Sequence, residues 1–480
     1  MERWGIFELK LKANEAFLDN PFTGIQLSAQ FRHGTAFAEA EGFYDANGSW
    51  LIRFMPTEEG TWTYITSSSH PDLNGIGGTF ECTTASPENH GPVRIGDAVH
   101  FQYADGTRFI PFGTNCYEWH RQSDRLQEQT LNSLQRSPFN KVRMLILPRQ
   151  YHLLLEGKVL EPFERMSSKD RDLDWMRPCP DYYTHLEQRV QQLAAIGIEA
   201  ELLLFHPGGE AGYGCELIPP EAAELYLRYV IARFGAYRNV WWSLGYEAEA
   251  MEEKTPEDWH RLGRWVQELD CGAHLRSIQH TGSRFDYGAH WITHVSLRTP
   301  EVRIASECAK QFGKPVVMEE CGCEGNLESR WGSLTAEEIV SRLWEGYFRG
   351  GYAAYCESYV REDTPLWHEQ GGELKGESIP RIQFLRELLY EAPESMAYSS
   401  GRLDAATLEI RGAYYLQYFG PHQFAYREFA LPEGKYKADV IDTWNLTVTP
   451  LQESFEGRFR IELPGRLYYA LRLRKVSEHS

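Results

Sequence analysis

Asn239-Val240-Trp241-Trp242-Ser243-Leu244-Gly245-Tyr246-Glu247 and Lys314-Pro315-Val316-Val317-Met318-Glu319-Glu320-Cys321-Gly322 decide the fold. Each is an apolar run too short for a helix, and each ends on a carboxylate. Both stand in a region where such runs alternate with amphipathic helical patterns, which predicts parallel strands joined by helices. Working outward, the strand candidates are Phe109 to Asn115, Lys141 to Leu147, Glu199 to Phe205, Val240 to Leu244, Ser277 to His280, Ile292 to Ser296, Pro315 to Glu319 and Tyr352 to Glu357. That is the number of strands a closed (β/α)8 TIM barrel requires. Between them, Pro220 to Arg238 carries Leu225, Tyr229, Ile231 and Phe234 on one face, and His185 to Ala195 carries Leu186, Val190 and Leu193. A doubly wound open sheet would also alternate, but it normally follows its first strand with a glycine-rich phosphate loop. Gly113-Thr114-Asn115-Cys116-Tyr117-Glu118-Trp119 is not one.

The flanks read differently. Up to about residue 90 the chain shows short alternating runs broken by turn signals, as in Gly42 to Phe54 and Gly60 to Thr66. This predicts an N-terminal immunoglobulin-like β-sandwich over residues 1–90. Ala85-Ser86-Pro87-Glu88-Asn89-His90-Gly91-Pro92 marks the boundary, and a hairpin from Phe101 to Phe109, turned at Asp105-Gly106, leads onward. The barrel takes residues 91–395. Short strands such as Tyr414 to Gly420 and Leu467 to Leu473 predict a small C-terminal β domain over 396–480. The expected fold class is therefore multidomain, with a central barrel between two β domains.

At 480 residues, 42% hydrophobic and 24% charged, the chain can bury more than one core. A formal net charge of −19 argues against nucleic acid or an anionic membrane as partner. The start, MERWGIFELKLKANEAF, lacks the basic and apolar regions of a secretory leader, and no apolar run approaches the ~20 residues that span a bilayer. A cytoplasmic location is expected. Nine cysteines, odd in number and scattered, read as reduced thiols. His290 and His294 flank a strand-like segment rather than a helix, so no metal site is assigned, and no cofactor is expected.

In a barrel, the carboxyl ends of the strands share one cleft. The residues gathered there are Asn115, Tyr117 and Trp119, then Arg143, His206, Tyr246 and Glu247, then His280, Glu319, Glu320 and Glu324, and last Tyr355 and Glu357. Trp331 and Trp367 lie in loop-like stretches and offer stacking faces. Arg143 either neutralises a buried carboxylate or meets a ligand. His206 and His280 directly follow strand-like runs, which favours the ligand shell over the core. Glu247 ends an apolar run and is the best acid/base candidate. Glu319 and Glu320 should point to opposite sides of their strand, so only one enters the cleft. Two glutamates delivered this way could flank one glycosidic bond, one protonated and one ionised.

Taken together, Glu2-Arg3-Trp4-Gly5, Asn20-Pro21-Phe22, Arg53-Phe54-Met55-Pro56, Asn89-His90-Gly91-Pro92, Phe139-Asn140-Lys141-Val142-Arg143, Asn239 to Leu244 and Glu320-Cys321-Gly322 with Glu324-Gly325 carry a resemblance. The chain resembles bacterial TIM-barrel glycoside hydrolases related to clan A, with an immunoglobulin-like N-terminal domain and a small C-terminal β domain. The resemblance implies an acid/base glutamate after strand four and a nucleophile after strand seven. Those fall on Glu247 and Glu320, and they imply retention through a covalent glycosyl-enzyme. Tyr246 stands where that clan has Asn, Glu319 where related chains have Asp, and Tyr355-Cys356-Glu357 where a His-Gly-Glu pattern is expected.

The expected function is retaining hydrolysis of small oligosaccharides or glycosides. Glu247 and Glu320 would be catalytic, and Asn115, Tyr117, Trp119, Arg143, His206, Tyr246, His280, Glu324, Glu357 and Trp367 would bind the carbohydrate substrate. The main alternative is a carbohydrate-binding barrel without catalysis. A lyase-like or transglycosylating enzyme is a further rival.

Overall fold

The computed structural model describes residues 1–13, 20–97, 99–149, 160–166, 173–208, 215, 218–281, 285–361, 365–401 and 404–476. The chain opens with antiparallel strands Phe7–Lys12, Leu27–His33, Ala36–Ala46, Ser49–Phe54, Gly60–Ser68 and Gly77–Cys82. The long strand Ala36–Ala46 pairs with Leu27–His33 as far as Glu41 and with Ser49–Phe54 from Gly42 onward. It therefore crosses between half-sheets at Gly42, where a Cβ would lie 2.5 Å from Leu27. Only glycine fits that close approach. The halves close over Phe31 and Phe54, stacked 4.2 Å apart, with Trp50 and Trp62 beside them.

The central domain carries parallel strands β1 (Gly113–Asn115), β2 (Lys141–Leu145), β3 (Glu199–Phe205), β4 (Val240–Gly245), β5 (Arg276–Ser277 continued by Gln279–Thr281), β6 (Val295–Arg298), β7 (Val316–Glu320) and β8 (Tyr352–Ala353). β1 to the first half of β5 form one sheet, and the second half of β5 with β6, β7 and β8 forms another. The sheets meet at Ile278 inside β5, and again where Tyr355, just past β8, pairs with Thr114 of β1. Helices Asp124–Gln135, Pro180–Ala195, Pro220–Phe234, Pro256–Leu269, Ile304–Phe312, Ala336–Phe348 and Ile379–Glu391 follow β1, β2, β3, β4, β6, β7 and β8. Among the described residues, no helix is long and apolar enough to cross a membrane.

Several strand boundaries differ from expectation: the run from Phe109 to Asn115 splits, Arg108–Phe109 joining the hairpin and β1 beginning at Gly113, and β2 ends at Leu145 rather than Leu147. β6 starts at Val295 rather than Ile292; just ahead of it, the Thr293 hydroxyl bonds the backbone of Arg276 at 2.8 Å in both directions. That shift carries Arg298 onto the end of the strand. The run from Tyr352 to Glu357 is broken, since Glu357–Ser358 leaves β8 to pair in parallel with Glu324–Gly325.

Between the strands lies a charged cluster with almost no exposure. Lys141 reaches Glu319 at 2.8 Å and also bonds Glu201, while Arg143 reaches Glu201 at 3.0 Å. Burial pushes Glu201 up, and Arg143 and Lys141 together more than reverse it; burial and the neighbouring Glu201 leave Glu319 raised. Two cations against two carboxylates leave this interior close to neutral. The three-stranded hairpin Val93–Ile95, Phe101–Tyr103 and Arg108–Phe109 closes the end where the strands begin, with Phe101 packed on Trp241, His294 and Tyr352.

The chain ends in a second β-rich domain. A six-stranded antiparallel sheet runs in the order Ala397–Tyr398, Ala406–Ile410, Tyr414–Tyr418, Tyr469–Lys475, Tyr436–Asp442, Thr447–Pro450. Tyr418 packs 5.3 Å from Trp344 of the central domain. At the other end of the molecule, buried Arg53 of the first domain donates to Glu187 and to the Arg233 carbonyl at 2.9 Å. Arg233 donates to the same Glu187 at 2.7 Å.

Arg53→Ala leaves Glu187 buried with one of its two cations gone. Denaturant unfolding is expected to show a loss of about 3–5 kcal/mol. Arg228→Ala, which removes an exposed pair with Glu41 and Glu224, is expected to cost under about 1 kcal/mol.

Candidate active site

Glu247, two residues past the end of β4, stands in the left-handed region, at φ 46° and ψ 51°. For a non-glycine residue that conformation costs about 1–2 kcal/mol, and such strain clusters at functional sites. The bend turns the carboxyl back toward β6 and β7. There Oε1 lies 3.1 Å from Nε of Arg298, and the same nitrogen lies 3.0 Å from Oε2 of Glu320. The other oxygen of Glu320 accepts a hydrogen bond from the Tyr117 hydroxyl. Burial, reinforced by Glu320, pushes the Tyr117 phenol well above its usual range, so it keeps its proton and donates. Burial also pushes Glu247 up; Arg298 opposes this, and Glu320 adds to it.

Aromatic rings and a second guanidinium form the walls. Tyr246 packs edge-on to Tyr117 with centroids 5.2 Å apart, and Arg149 lies 4.5 Å over Tyr117 and 4.9 Å over Tyr246. Arg149 is itself tied to Glu369 at 2.7 Å. Arg298 stacks 4.2 Å over Trp331.

Of the residues expected from sequence, Glu247, Glu320, Tyr117 and Tyr246 come together here. His280 stands at the rim, 3.8 Å from Glu249 rather than beside the pair. Asn115, Trp119, Arg143, His206, Glu324, Glu357 and Trp367 are each 0% exposed, with their polar groups turned to the protein. Asn115 donates to the Glu319 carbonyl at 3.0 Å, His206 bonds the Leu147 carbonyl at 2.9 Å, and Trp367 donates to Thr114 at 2.9 Å. Arg143 takes the first of its two readings, partner to buried carboxylates, Glu201 at 3.0 Å and Glu319 at 3.8 Å. Glu324 and Glu357 share the Tyr355 hydroxyl at 2.8 and 3.1 Å and accept backbone N–H groups from Lys375 to Ser378.

Glu319 and Glu320 separate as expected, but not by simple alternation. The β6–β7 register shifts between Leu297 and Arg298, so Leu297 faces Met318 and Arg298 faces Glu320. This bulge lets Glu319 join the buried cluster while Glu320 reaches the cleft. Arg298 was not legible as a site residue because the strand was expected to stop at Ser296. Its signal is the one that marked Glu247, a charge directly after an apolar run.

The cysteines need a correction. Cys323 and Cys356 form a disulfide, with Cα atoms 4.4 Å apart, where reduced thiols were expected. The parallel pairing of Glu324 with Glu357 sets these neighbours side by side, and a sequence separation of 33 conceals it.

Residues 97–371 match the family described as "Apiosidase-like, catalytic domain". Residues 1–69 and 403–474 match families described as domains of unknown function. Among solved structures, the chain is similar to a Bacteroides vulgatus ATCC 8482 protein provisionally designated a glycoside hydrolase. The identity is 36%, coverage is 99% of both chains, and the TM-score is 0.92. A glycoside hydrolase family 5 structure from the same organism shares the fold at 13% identity and TM-score 0.65, covering 82% of this chain and 97% of that one. No curated protein sequence matches.

Thiol titration of the denatured, unreduced protein is expected to find only the seven cysteines outside the disulfide: Cys82, Cys116, Cys179, Cys215, Cys271, Cys308 and Cys321. Reduction should add two more, and a count unchanged by reduction would contradict the bond.

Proposed function

The chain belongs to the apiosidase-like family and is a glycoside hydrolase, and from that premise we propose a retaining mechanism with Glu247 as acid/base and Glu320 as nucleophile. The two parallel sheets are taken as one closed (β/α)8 barrel, joined at Ile278 and at the Thr114–Tyr355 bridge. Its domain limits are taken as 91–395, between β domains over 1–90 and 396–480.

One observation carries the reading. Oxygens of Glu247 and Glu320 that share a nitrogen at 3.1 and 3.0 Å cannot lie farther apart than the sum, about 6.1 Å. Retaining enzymes hold their carboxyls about 5–5.5 Å apart, while inverting ones need about 6.5–9.5 Å to admit a water. The spacing supports direct attack by one carboxylate.

The roles follow from environment. Glu247 is partly buried and its affinity for a proton is raised, as a leaving-group acid requires. Glu320 has donors on both oxygens, Tyr117 on one and Arg298 on the other, which orients it for in-line attack. In the first step Glu320 bonds to the anomeric carbon as Glu247 protonates the departing oxygen. In the second, Glu247 takes a proton from water, and that water displaces Glu320 with net retention. Arg143, Asn115, His206, Trp119, Trp367, Glu324 and Glu357 serve this scheme by holding strand ends, while Tyr117 and Tyr246 stand beside the glutamate pair and His280 lines the rim. The Tyr246 ring occupies the position of the clan's usual Asn, so the sugar 2-hydroxyl must find another partner. The Cys323–Cys356 disulfide favours an oxidising compartment over the cytoplasm.

The family's name makes aryl apiosides the first members of a test panel that also covers other aryl glycosides and oligosaccharides. Wild type is expected to hydrolyse at least one, and Glu320→Gln to lose that activity. Glu247→Gln is expected to lower kcat/KM, which reports the glycosylation step, by about 10²–10⁴-fold for poor leaving groups and far less for 2,4-dinitrophenyl glycosides. Equal losses for both leaving groups would remove Glu247 from the acid role.

A further inference from the structure

Arg298 ends β6, and the register shift on β7 seats it opposite Glu320 rather than Glu319. Its Nε donates to Glu320 at 3.0 Å and lies 3.1 Å from a Glu247 oxygen, so one guanidinium nitrogen sits against both carboxylates, hydrogen-bonded to the first and ion-paired with the second. The guanidinium is braced from the side by Trp331, 4.2 Å from the ring centre. Among the described residues, Glu247 forms an ion pair with no other cation. Arg149, the other guanidinium at the cleft, is committed to Glu369 at 2.7 Å and to the faces of Tyr117 and Tyr246.

Such a contact does two things. It sets the distance between the glutamates, because a planar guanidinium braced by an indole cannot follow one carboxylate away from the other. It also stabilises Glu247 as the anion, in a setting where burial favours the acid. The groups that bear on Glu247 are Glu320 from β7, Arg149 from beyond β2, Glu249 on its own loop and the Tyr246 phenol beside it. The Gln279 side chain of β5 accepts from its backbone N–H at 3.4 Å. Arg298 is the one that touches the carboxyl with opposite charge.

We propose that Arg298 is a positioning residue for both carboxylates, fixing their spacing and drawing Glu247 toward its carboxylate form, against the pull of burial, while the cleft contains no sugar. The assignment rests on the roles given above to Glu247 and Glu320, but its test needs no substrate. A water-soluble carbodiimide with glycine ethyl ester labels protonated carboxyls, and peptide mass spectrometry as a function of pH reads Glu247 individually. The exposed Glu252 and Glu253 nearby serve as internal references. In Arg298→Gln the midpoint for Glu247 is expected to rise by at least about one pH unit, a tenfold change in protonation, while the references stay fixed. Arg298→Lys, which keeps the charge without the fork, should bring the midpoint part of the way back. Circular dichroism confirms that each variant is folded. A Glu247 midpoint common to wild type and both variants would overturn the proposal. Failure of the functional reading looks different: Glu320→Gln would then hydrolyse glycosides undiminished, whatever the labelling shows.

Discussion

Two carboxylates within about 6.1 Å of each other repel by about 3 kcal/mol at an effective dielectric near 20, and the cleft is organised around that repulsion. Three devices counter it. Arg298 inserts a positive charge between the two, the Tyr117 hydroxyl donates to the far oxygen of Glu320, and partial burial favours a proton on Glu247. The same repulsion that would disorder an arbitrary pair here divides the labour, since the cheaper charge state has one glutamate protonated and one not.

Holding the pair in place is the work of the layers beneath. Lys141, Arg143, Glu201 and Glu319 form a cluster that is nearly charge-balanced and sealed from solvent, so β2, β3 and β7 cannot slide without separating buried ions. The bulge on β7 sends Glu319 into that cluster and Glu320 out of it, which anchors the nucleophile candidate one residue from the interior network. On the other flank, Glu324 and Glu357 pin the backbone of residues 375–378, and the Cys323–Cys356 disulfide ties the strands that carry them. The terminal β domains dock on the outside through Arg53 and Tyr418, away from the glutamates.

Much of this was legible in sequence because it depends on local pattern. Apolar runs ending in Glu247 and Glu320 identify the strands, and both carboxyls lie together against Arg298. Turn residues at Asp105-Gly106 gave the hairpin, and alternation gave the β-rich flanks. What stayed hidden depends on pairing between distant segments. The disulfide needs the Glu324–Glu357 register, and Arg298 needs both the late start of β6 and the bulge on β7. Burial was the other blind spot. Asn115, Arg143, His206, Glu324 and Glu357 follow strands as cleft residues should, yet each is fully buried with partners inside the protein, because a strand end delivers a side chain to the right height without deciding which way it turns.

Stereochemistry of the first product tests the central claim most directly. Proton NMR of the sugar released in the first minutes from a hydrolysed glycoside, before mutarotation, reads the anomer that leaves the cleft. Double displacement through Glu320 predicts the anomer of the substrate. The opposite anomer would mean that water attacks directly, and that two carboxylates this close are doing something other than what their spacing indicates.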